Sequence, residues 1–132
     1  MRLLRRVLIW QAAAWAAFGL ILVIAPGWVI ESVFDQPPLG EEAWLRVSGV
    51  MAISLAGLMV LVSHRVEDLW WWSWTFVILA VASTVVLVLN ALVGVPEGAA
   101  SWPWWVLAGV NAGFALIELT ALARIGTARP PG

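Results

Sequence analysis

The sequence has 132 residues, of which 63% are hydrophobic and only 11% charged, whereas soluble domains average about 45–50% apolar and 25% charged residues. This composition excludes an ordinary water-soluble domain and predicts one membrane domain over residues 1–132. The net charge of −1 argues against nucleic-acid binding, which needs a basic surface. The absence of cysteine excludes disulfides and thiolate metal sites.

Four long stretches without a charged residue dominate the chain, at 7–30, 47–63, 69–95 and 101–117. Each is close to the roughly 20 apolar residues that a membrane-spanning helix needs. We predict helices at about 7–30, 43–63, 69–93 and 102–123. The connection between the second and third helices, HRVED, is only five residues long, so those two helices must be antiparallel neighbours. The predicted fold is therefore an all-α integral membrane four-helix bundle with antiparallel up-down topology.

Arginine positions predict how this bundle lies in the membrane. Lysine is absent and arginine takes its place throughout, which we interpret as the codon bias of a GC-rich, bacterial genome. With a cytoplasmic N-terminus, Arg46 is the only arginine outside. The arginines on the inner side are then Arg2, Arg5, Arg6, Arg65, Arg124 and Arg129. The positive-inside rule thus predicts a protein of the cytoplasmic (inner) membrane with both termini in the cytoplasm, N-in/C-in.

The proline-containing segment APGW, at the end of the first predicted helix, is expected to stop that helix. In the second helix, Ser48, Ala52 and Ala56 recur at four-residue spacing and predict a packing stripe of small residues.

At the outer end of the second helix, Arg46 has two interpretations. It is a structural clamp, with Glu42, Glu31, Asp35 or Asn90 as its partner, or it is a site for an anionic ligand or headgroup.

The third predicted helix begins with the segment EDLWWWSWTF. Consecutive rings cannot all face one partner, because they spread by about 100° per residue. We therefore interpret most of these rings as anchors at the membrane–water interface, where tryptophan is enriched. Trp74 is deeper and is the one member of the cluster that we expect to line a site. The predicted interface anchors are Trp70, Trp71, Trp72, Trp102, Trp104 and Trp105.

Glu118 in the fourth helix is the main candidate for chemistry, since an ionisable residue inside a membrane span marks a functional site by default. Asn111 lies seven residues earlier, within about 20° on the same face. Either Glu118 carries a proton or binds a ligand, or it is a structural residue that is protonated or extends towards inner arginines. Gly109 and Gly113 form a GxxxG pair on the opposite side, for which we expect close helix packing.

Catalytic signatures are missing from the sequence. It contains no phosphate-binding loop, no HExxH, no GxSxG elbow and no His/Cys ligand set. His64 at the end of the second helix is expected to be a cation near a helix C-terminus. We therefore predict no metal and no cofactor, and we favour a protein that is not an enzyme.

Two stretches are similar to the small four-helix DoxX-like membrane proteins of bacteria: IAPGWVIESVF at the end of the first helix, and AWLRVSGVMAISLAGLMVL at the start of the second. The resemblance covers about half the chain and implies a membrane bundle. Some DoxX-like proteins are linked to quinone-dependent sulfur oxidation, so it also implies a quinone-linked oxidoreductase subunit as one alternative. The small multidrug transporters place their glutamate in the first helix, where this chain has QAAAWAAFG.

These observations together predict an accessory membrane subunit or a binder of lipid or another hydrophobic small molecule within the bundle. The ligand-binding or proton-carrying candidates are Glu118, Asn111, Arg46, Asn90 and Trp74. The expected partners are membrane lipid and either further copies of the chain or a larger membrane complex. The alternative from a different class is a proton-coupled transporter, a homo-oligomer with Glu118 as the proton carrier.

Overall fold

The computed structural model describes residues 1–128, in which no strand occurs. The helices are α1 (Arg2–Ile24), α2 (Pro26–Trp28), α3 (Ala43–His64), α4 (Val66–Leu69), α5 (Ser73–Leu89) and α6 (Trp102–Ala128). Four segments are long and apolar enough to cross a membrane, namely Arg2–Ile24, Ala43–His64, Val66–Gly94 and Trp102–Thr127. The prediction of an all-helical chain with four long apolar helices is thus confirmed. Arg129, which we assigned to the inner side, lies outside the described residues.

The first long helix begins and ends earlier than the sequence indicated. It starts at Arg2 and is broken at Ala25, whose φ of −136° and ψ of 59° are not helical. Pro26 then opens the short helix α2, where its missing N–H costs no hydrogen bond. A π-helical turn, Val29–Val33, follows. The proline therefore ends α1 but does not end helical structure.

The tryptophan cluster interrupts the third span. Val66–Leu69 is α-helical, Trp70–Trp72 form a 3₁₀ turn, and α5 begins at Ser73. A 3₁₀ turn has three residues per turn, so these rings point in three directions about 120° apart. Trp71 and Trp72 are exposed, with ring centroids 5.0 Å apart, while Trp70 packs partly against the core.

α1 and α3 pack closely through a glycine crossing, Gly19 on Gly49. A Cβ added to Gly19 would lie 2.6 Å from the carbonyl oxygen of Gly49, and the reverse substitution gives the same distance. At one end of the pair Arg5 Nε donates to the Ser63 carbonyl at 3.1 Å. Low residue numbers of α1 thus meet high numbers of α3, so the two helices run antiparallel. Ala52 and Ala56 of the predicted small-residue stripe are buried here, whereas Ser48 is exposed.

The predicted packing at Gly109 and Gly113 is not present within the described residues. No atom lies within 4 Å of a Cβ added at either position. The close contact occurs instead at the glycine crossing, where the two glycines belong to different helices and so leave no local GxxxG pattern in the sequence.

The four long helices lie in the order α3, α1, α6, α5. α3 packs mainly on α1 and α5 on α6, α1 and α6 form the seam between the two pairs, and α3 and α5 barely touch. At one end all the helices converge on a continuous hydrophobic core, which we call the core end. Its fully or nearly fully buried members include Leu4, Leu8, Met59, Val66, Phe76 and Leu122. At the opposite end the pairs separate.

Candidate functional site

The separation of the helix pairs leaves a cavity of about 820 Å³. Its walls come from α1, from the segment 29–39 that follows α2, from α5 and from α6, and α3 contributes Leu45. This volume lies within the range of about 300–1,000 Å³ that is typical of small-molecule sites. The cavity is therefore large enough for a drug-sized molecule or part of a lipid.

The cavity wall is apolar and carries no charged side chain. α1 contributes Trp15, Phe18 and Leu22, and α6 contributes Leu107 and Phe114. The aromatic residues Trp15 and Phe114 also pack on the core, so they form the floor of the cavity. An apolar wall with a few polar groups is the usual composition of a ligand site.

Two buried polar atoms in the wall have no hydrogen-bond partner. These are Trp104 Nε1, which can only donate, and Asn111 Oδ1, which can only accept. The Asn111 amide nitrogen donates to the Leu107 carbonyl at 2.9 Å, which fixes the side chain with its oxygen unpaired. Buried polar groups are almost always satisfied, so these two side chains of the cavity wall carry a donor and an acceptor that are candidates for hydrogen bonds to a ligand.

Further polar side chains lie on the wall formed by α5 and the π-helical turn Asn90–Gly94 that follows it, where Ser83 and Asn90 line the cavity seven residues apart. Trp104 and Asn111 have the same spacing on α6, and seven residues return to nearly the same helix face. Most polar side chains of the cavity therefore lie on the side of α5 and α6, opposite the apolar side chains of α1, while Gln36 adds a further polar side chain from the segment that follows α2.

The cavity is not sealed at its side. Val86 of α5 is 64% exposed and Val110 of α6 is 44% exposed, although both line it. Ala82 is exposed as well. These residues lie well inside the apolar spans Val66–Gly94 and Trp102–Thr127. The cavity is therefore open at the depth of the hydrocarbon region of a bilayer, and it is also open at the helix end, where the lining residues Leu39 and Gly94 are exposed.

The segment that follows α2 covers the far end of the cavity. The Phe34 ring packs on the Trp104 ring, with centroids 4.6 Å apart. Asp35 next to it has a positive φ of 51°, and its carboxylate accepts a hydrogen bond from the Ala100 backbone N–H at 3.3 Å. This bond ties the two connections at the cavity end together, although they are 65 residues apart in sequence.

The predicted site residues fall into separate places. Asn90 and Asn111 line the cavity, and so does Trp104, which we had assigned to the interface. Glu118 lies beyond the floor, fully buried, and neither of its carboxyl oxygens has a hydrogen-bond partner. Trp74 is 46% exposed and is not part of the wall.

Arg46 also lies outside the cavity wall. Its guanidinium donates to the Val23 carbonyl of α1 and to Glu42 Oε2 at 3.5 Å, one turn away. Both side chains of this ion pair are substantially exposed, and exposed pairs contribute little stability. This geometry fits the first of the two interpretations of Arg46, a structural clamp. The other anchors, Trp102 and Trp105, are exposed.

Gln11 is a polar residue that was not among the predicted site residues. Its side chain is fully buried, and neither its amide oxygen nor its amide nitrogen has a partner. It is the only polar residue in the stretch QAAAWAAFG, and that position could have drawn attention to it. No group of three or more His, Cys, Asp or Glu side chains that could hold a metal occurs in residues 1–128.

Comparison with known proteins finds no matching family model, no matching curated protein and no matching solved structure. The resemblance to DoxX-like proteins therefore stays a prediction.

Proposed function

We propose that this is a multi-pass membrane protein that binds a neutral lipid or another hydrophobic small molecule in the cavity. The observation that carries the proposal is an apolar cavity of about 820 Å³ lined by two side chains with an unpaired donor and acceptor, Trp104 Nε1 and Asn111 Oδ1. A molecule with a hydrocarbon body and hydrogen-bonding oxygens fills the volume, and it pairs with both atoms when the two side chains turn towards it.

The absence of charged groups from the wall supports a neutral ligand. A charge inside an apolar cavity is costly unless it is paired, and no lining side chain is charged. Arg46 does not line the cavity, so it provides no counter-charge for a bound phosphate. Alcohols, esters and other uncharged lipids are therefore favoured over phospholipid headgroups or fatty-acid anions.

The position of the opening supports entry from the bilayer. Val86 and Val110 expose the cavity within the apolar spans, where lipid chains rather than water surround a membrane protein. With the N-in/C-in, up-and-down arrangement that the arginines favour, the cavity belongs to the outer half of the cytoplasmic membrane. A ligand from the outer leaflet then reaches it without crossing the membrane.

The test compares Trp104→Phe with Trp105→Phe. Both remove an indole N–H and keep an aromatic ring, but only Trp104 lines the cavity. A long-chain alcohol is titrated onto the purified protein, and the bound fraction is measured by native mass spectrometry. We expect Trp104→Phe to weaken binding by about five- to tenfold, because the ligand loses one hydrogen bond worth about 1 kcal/mol.

Trp105→Phe should bind the alcohol as the unmodified protein does. Equal weakening in both variants, or stronger binding of the matching fatty-acid anion than of the alcohol, would contradict the proposal.

A further inference from the structure

The core end carries an excess of positive charge at its surface. Its arginines and acids are all exposed: Arg2, Arg5, Arg6, Arg65 and Arg124, with Glu67 and Asp68. None of these arginines is paired with a carboxylate, since the only ion pair within residues 1–128 joins Arg46 to Glu42 at the cavity end. This end therefore has positive charge that the described part of the chain does not neutralise.

One of these arginines lines a cleft between α1 and α3. The cleft has a volume of about 250 Å³ and is lined by Arg5, Ile9, Ser63 and His64, without an acidic side chain. Arg5 Nε donates to the Ser63 carbonyl at 3.1 Å, which holds the guanidinium at the cleft. Its two Nη groups have no hydrogen-bond partner within residues 1–128. The planar group therefore keeps a pair of N–H donors, the arrangement that binds a phosphate through two parallel hydrogen bonds.

The ring of His64 is also held in place at this cleft. Its Nδ1 lies 2.8 Å from the Val60 carbonyl oxygen, and because a carbonyl oxygen only accepts, Nδ1 carries the hydrogen of this contact. Nε2 is then the ring nitrogen that is left for a ligand, and it donates to an anion when the ring is protonated. His64 is the last residue of α3, where the helix dipole favours positive charge. Side chains from two helices thus present donors to one cleft.

The register of α1 and α3 shows how far the paired helices extend from this cleft. Fourteen residues separate Arg5 from Gly19 on α1, and fourteen separate Gly49 from Ser63 on α3. The contact at the cleft and the glycine crossing therefore belong to one antiparallel register. The stretch between them is about 21 Å long, at a rise of about 1.5 Å per residue.

The helix faces next to the cleft are apolar and exposed along this stretch. On α1, Ile9 is 47% exposed, and Ala13 is exposed one turn further on. On α3, Val60 is exposed, and so is Gly57, which lies seven residues before His64 on nearly the same face. No atom lies within 4 Å of a Cβ added at Gly57. Since one leaflet of the hydrocarbon region is about 15 Å thick, the stretch is long enough for an acyl chain below a headgroup in the cleft.

We propose that the cleft at the core end binds the phosphate of an anionic phospholipid, whose acyl chains lie along the exposed faces of α1 and α3. The unpaired arginines favour an anionic lipid over a zwitterionic one, because a cationic headgroup would be repelled by them. The apolar faces favour a lipid over a free phosphate. The cleft shares no lining residue with the cavity, so this is a second site. In the N-in/C-in orientation proposed above, its lipid belongs to the inner leaflet.

The test is a titration of phosphatidylglycerol onto the full chain in mild detergent, with bound lipid counted by native mass spectrometry. Phosphatidylcholine with the same acyl chains and the soluble headgroup glycerol 3-phosphate are titrated in parallel. We expect saturable binding of phosphatidylglycerol that is at least about tenfold tighter than binding of either. Arg5→Gln should weaken it by about tenfold or more, because the charge and both Nη donors are lost. Arg5→Lys keeps the charge but not the paired donors and should weaken it by less, which gives a second measurement if Arg5→Gln does not fold.

Arg6→Gln is the matched control, because it removes the same charge from the next residue, which is exposed but does not line the cleft. It should change the affinity by less than about twofold. Trp104→Phe, in the cavity wall, should leave phosphatidylglycerol binding unchanged and so separates this site from the neutral-ligand site.

Equal weakening in Arg5→Gln and Arg6→Gln would show attraction to surface charge in general and would overturn the proposal. Equal affinity for phosphatidylcholine would overturn it as well. If glycerol 3-phosphate bound as tightly as the lipid, the cleft would be a site for a soluble anion instead. If Trp104→Phe weakened binding as much as Arg5→Gln, the phospholipid would lie in the cavity and the proposal would be wrong.

Discussion

The core end and the cavity end of this molecule are built from the same four helices and the same kinds of residue, yet they pack in different ways. At the core end, side chains such as Leu8 and Met59 are completely buried. At the cavity end, the aromatic and aliphatic side chains of α1 face an open volume of about 820 Å³. The difference shows that an apolar helix surface in a membrane protein either packs on a partner helix or faces a cavity or the surrounding lipid. Residue type does not distinguish them.

Met59→Ala should produce the largest loss of stability, because it removes a side chain with 0% exposure from the core end. A large-to-small substitution at such a site costs about 3 kcal/mol, within the range for buried methionine. Met51 on the same helix is 62% exposed, so Met51→Ala is a matched control and should change stability by less than about 0.5 kcal/mol. Unfolding in mixed micelles measures both. Equal losses would show that the core end is not packed as described.

Gly19→Leu should cost about 1–3 kcal/mol, because its side chain has to displace the Gly49 backbone and so separate α1 from α3. Gly109→Leu introduces the same side chain on α6, where no atom lies within 4 Å of the new Cβ. This control should stay within about 0.5 kcal/mol of the unmodified protein. The same unfolding assay applies. A greater loss at Gly109 than at Gly19 would place the close helix contact on α6 instead.

Ala82→Trp should have the smallest effect on stability and a clear effect on binding. Ala82 is exposed and lines the cavity, so an indole there fills empty volume without displacing packed atoms, and stability should change by less than about 0.5 kcal/mol. Binding of the long-chain alcohol should fall by at least about tenfold, because the ring occupies its place.

Ala123→Trp, at an exposed position of α6 outside the cavity wall, is the control for the added tryptophan. Native mass spectrometry counts the bound alcohol in both variants. If Ala82→Trp bound the alcohol as well as the unmodified protein does, the alcohol would not bind in the cavity.

The sequence predicts the number of helices well, because the length of an apolar run is a direct measure of what can cross a bilayer. It also predicts that Asn111 and Asn90 are unusual, since polar groups stand out in such runs. It does not predict which face of a helix meets a neighbour. In a soluble protein the polar face marks the solvent side, but here lipid and protein interior are equally apolar, so both faces have the same composition.

The same reasoning explains particular misses. Gln11 carries no charge, and its segment QAAAWAAFG is notable in the sequence only because it lacks the glutamate that the small multidrug transporters have in the first helix. Gly19 and Gly49 belong to different helices, so their contact depends on the tertiary register and has no local signature. The cavity depends on how far α1 and α5 separate, which no single helix encodes. Trp104 follows the anchor pattern in sequence, yet its indole nitrogen is buried in the cavity wall.

The glycine crossing of α1 and α3 also has a mechanical consequence. Two backbones in direct contact cannot slide or spread without losing that contact, so these helices form one stiff arm. The cavity has α1 on one side and α5 with α6 on the other, so its width changes when the second arm swings against the first. We therefore expect the exchange rate of the proposed ligand to depend on such a movement about the seam at the core end, so that a cross-link between α1 and α5 slows exchange without weakening the equilibrium affinity.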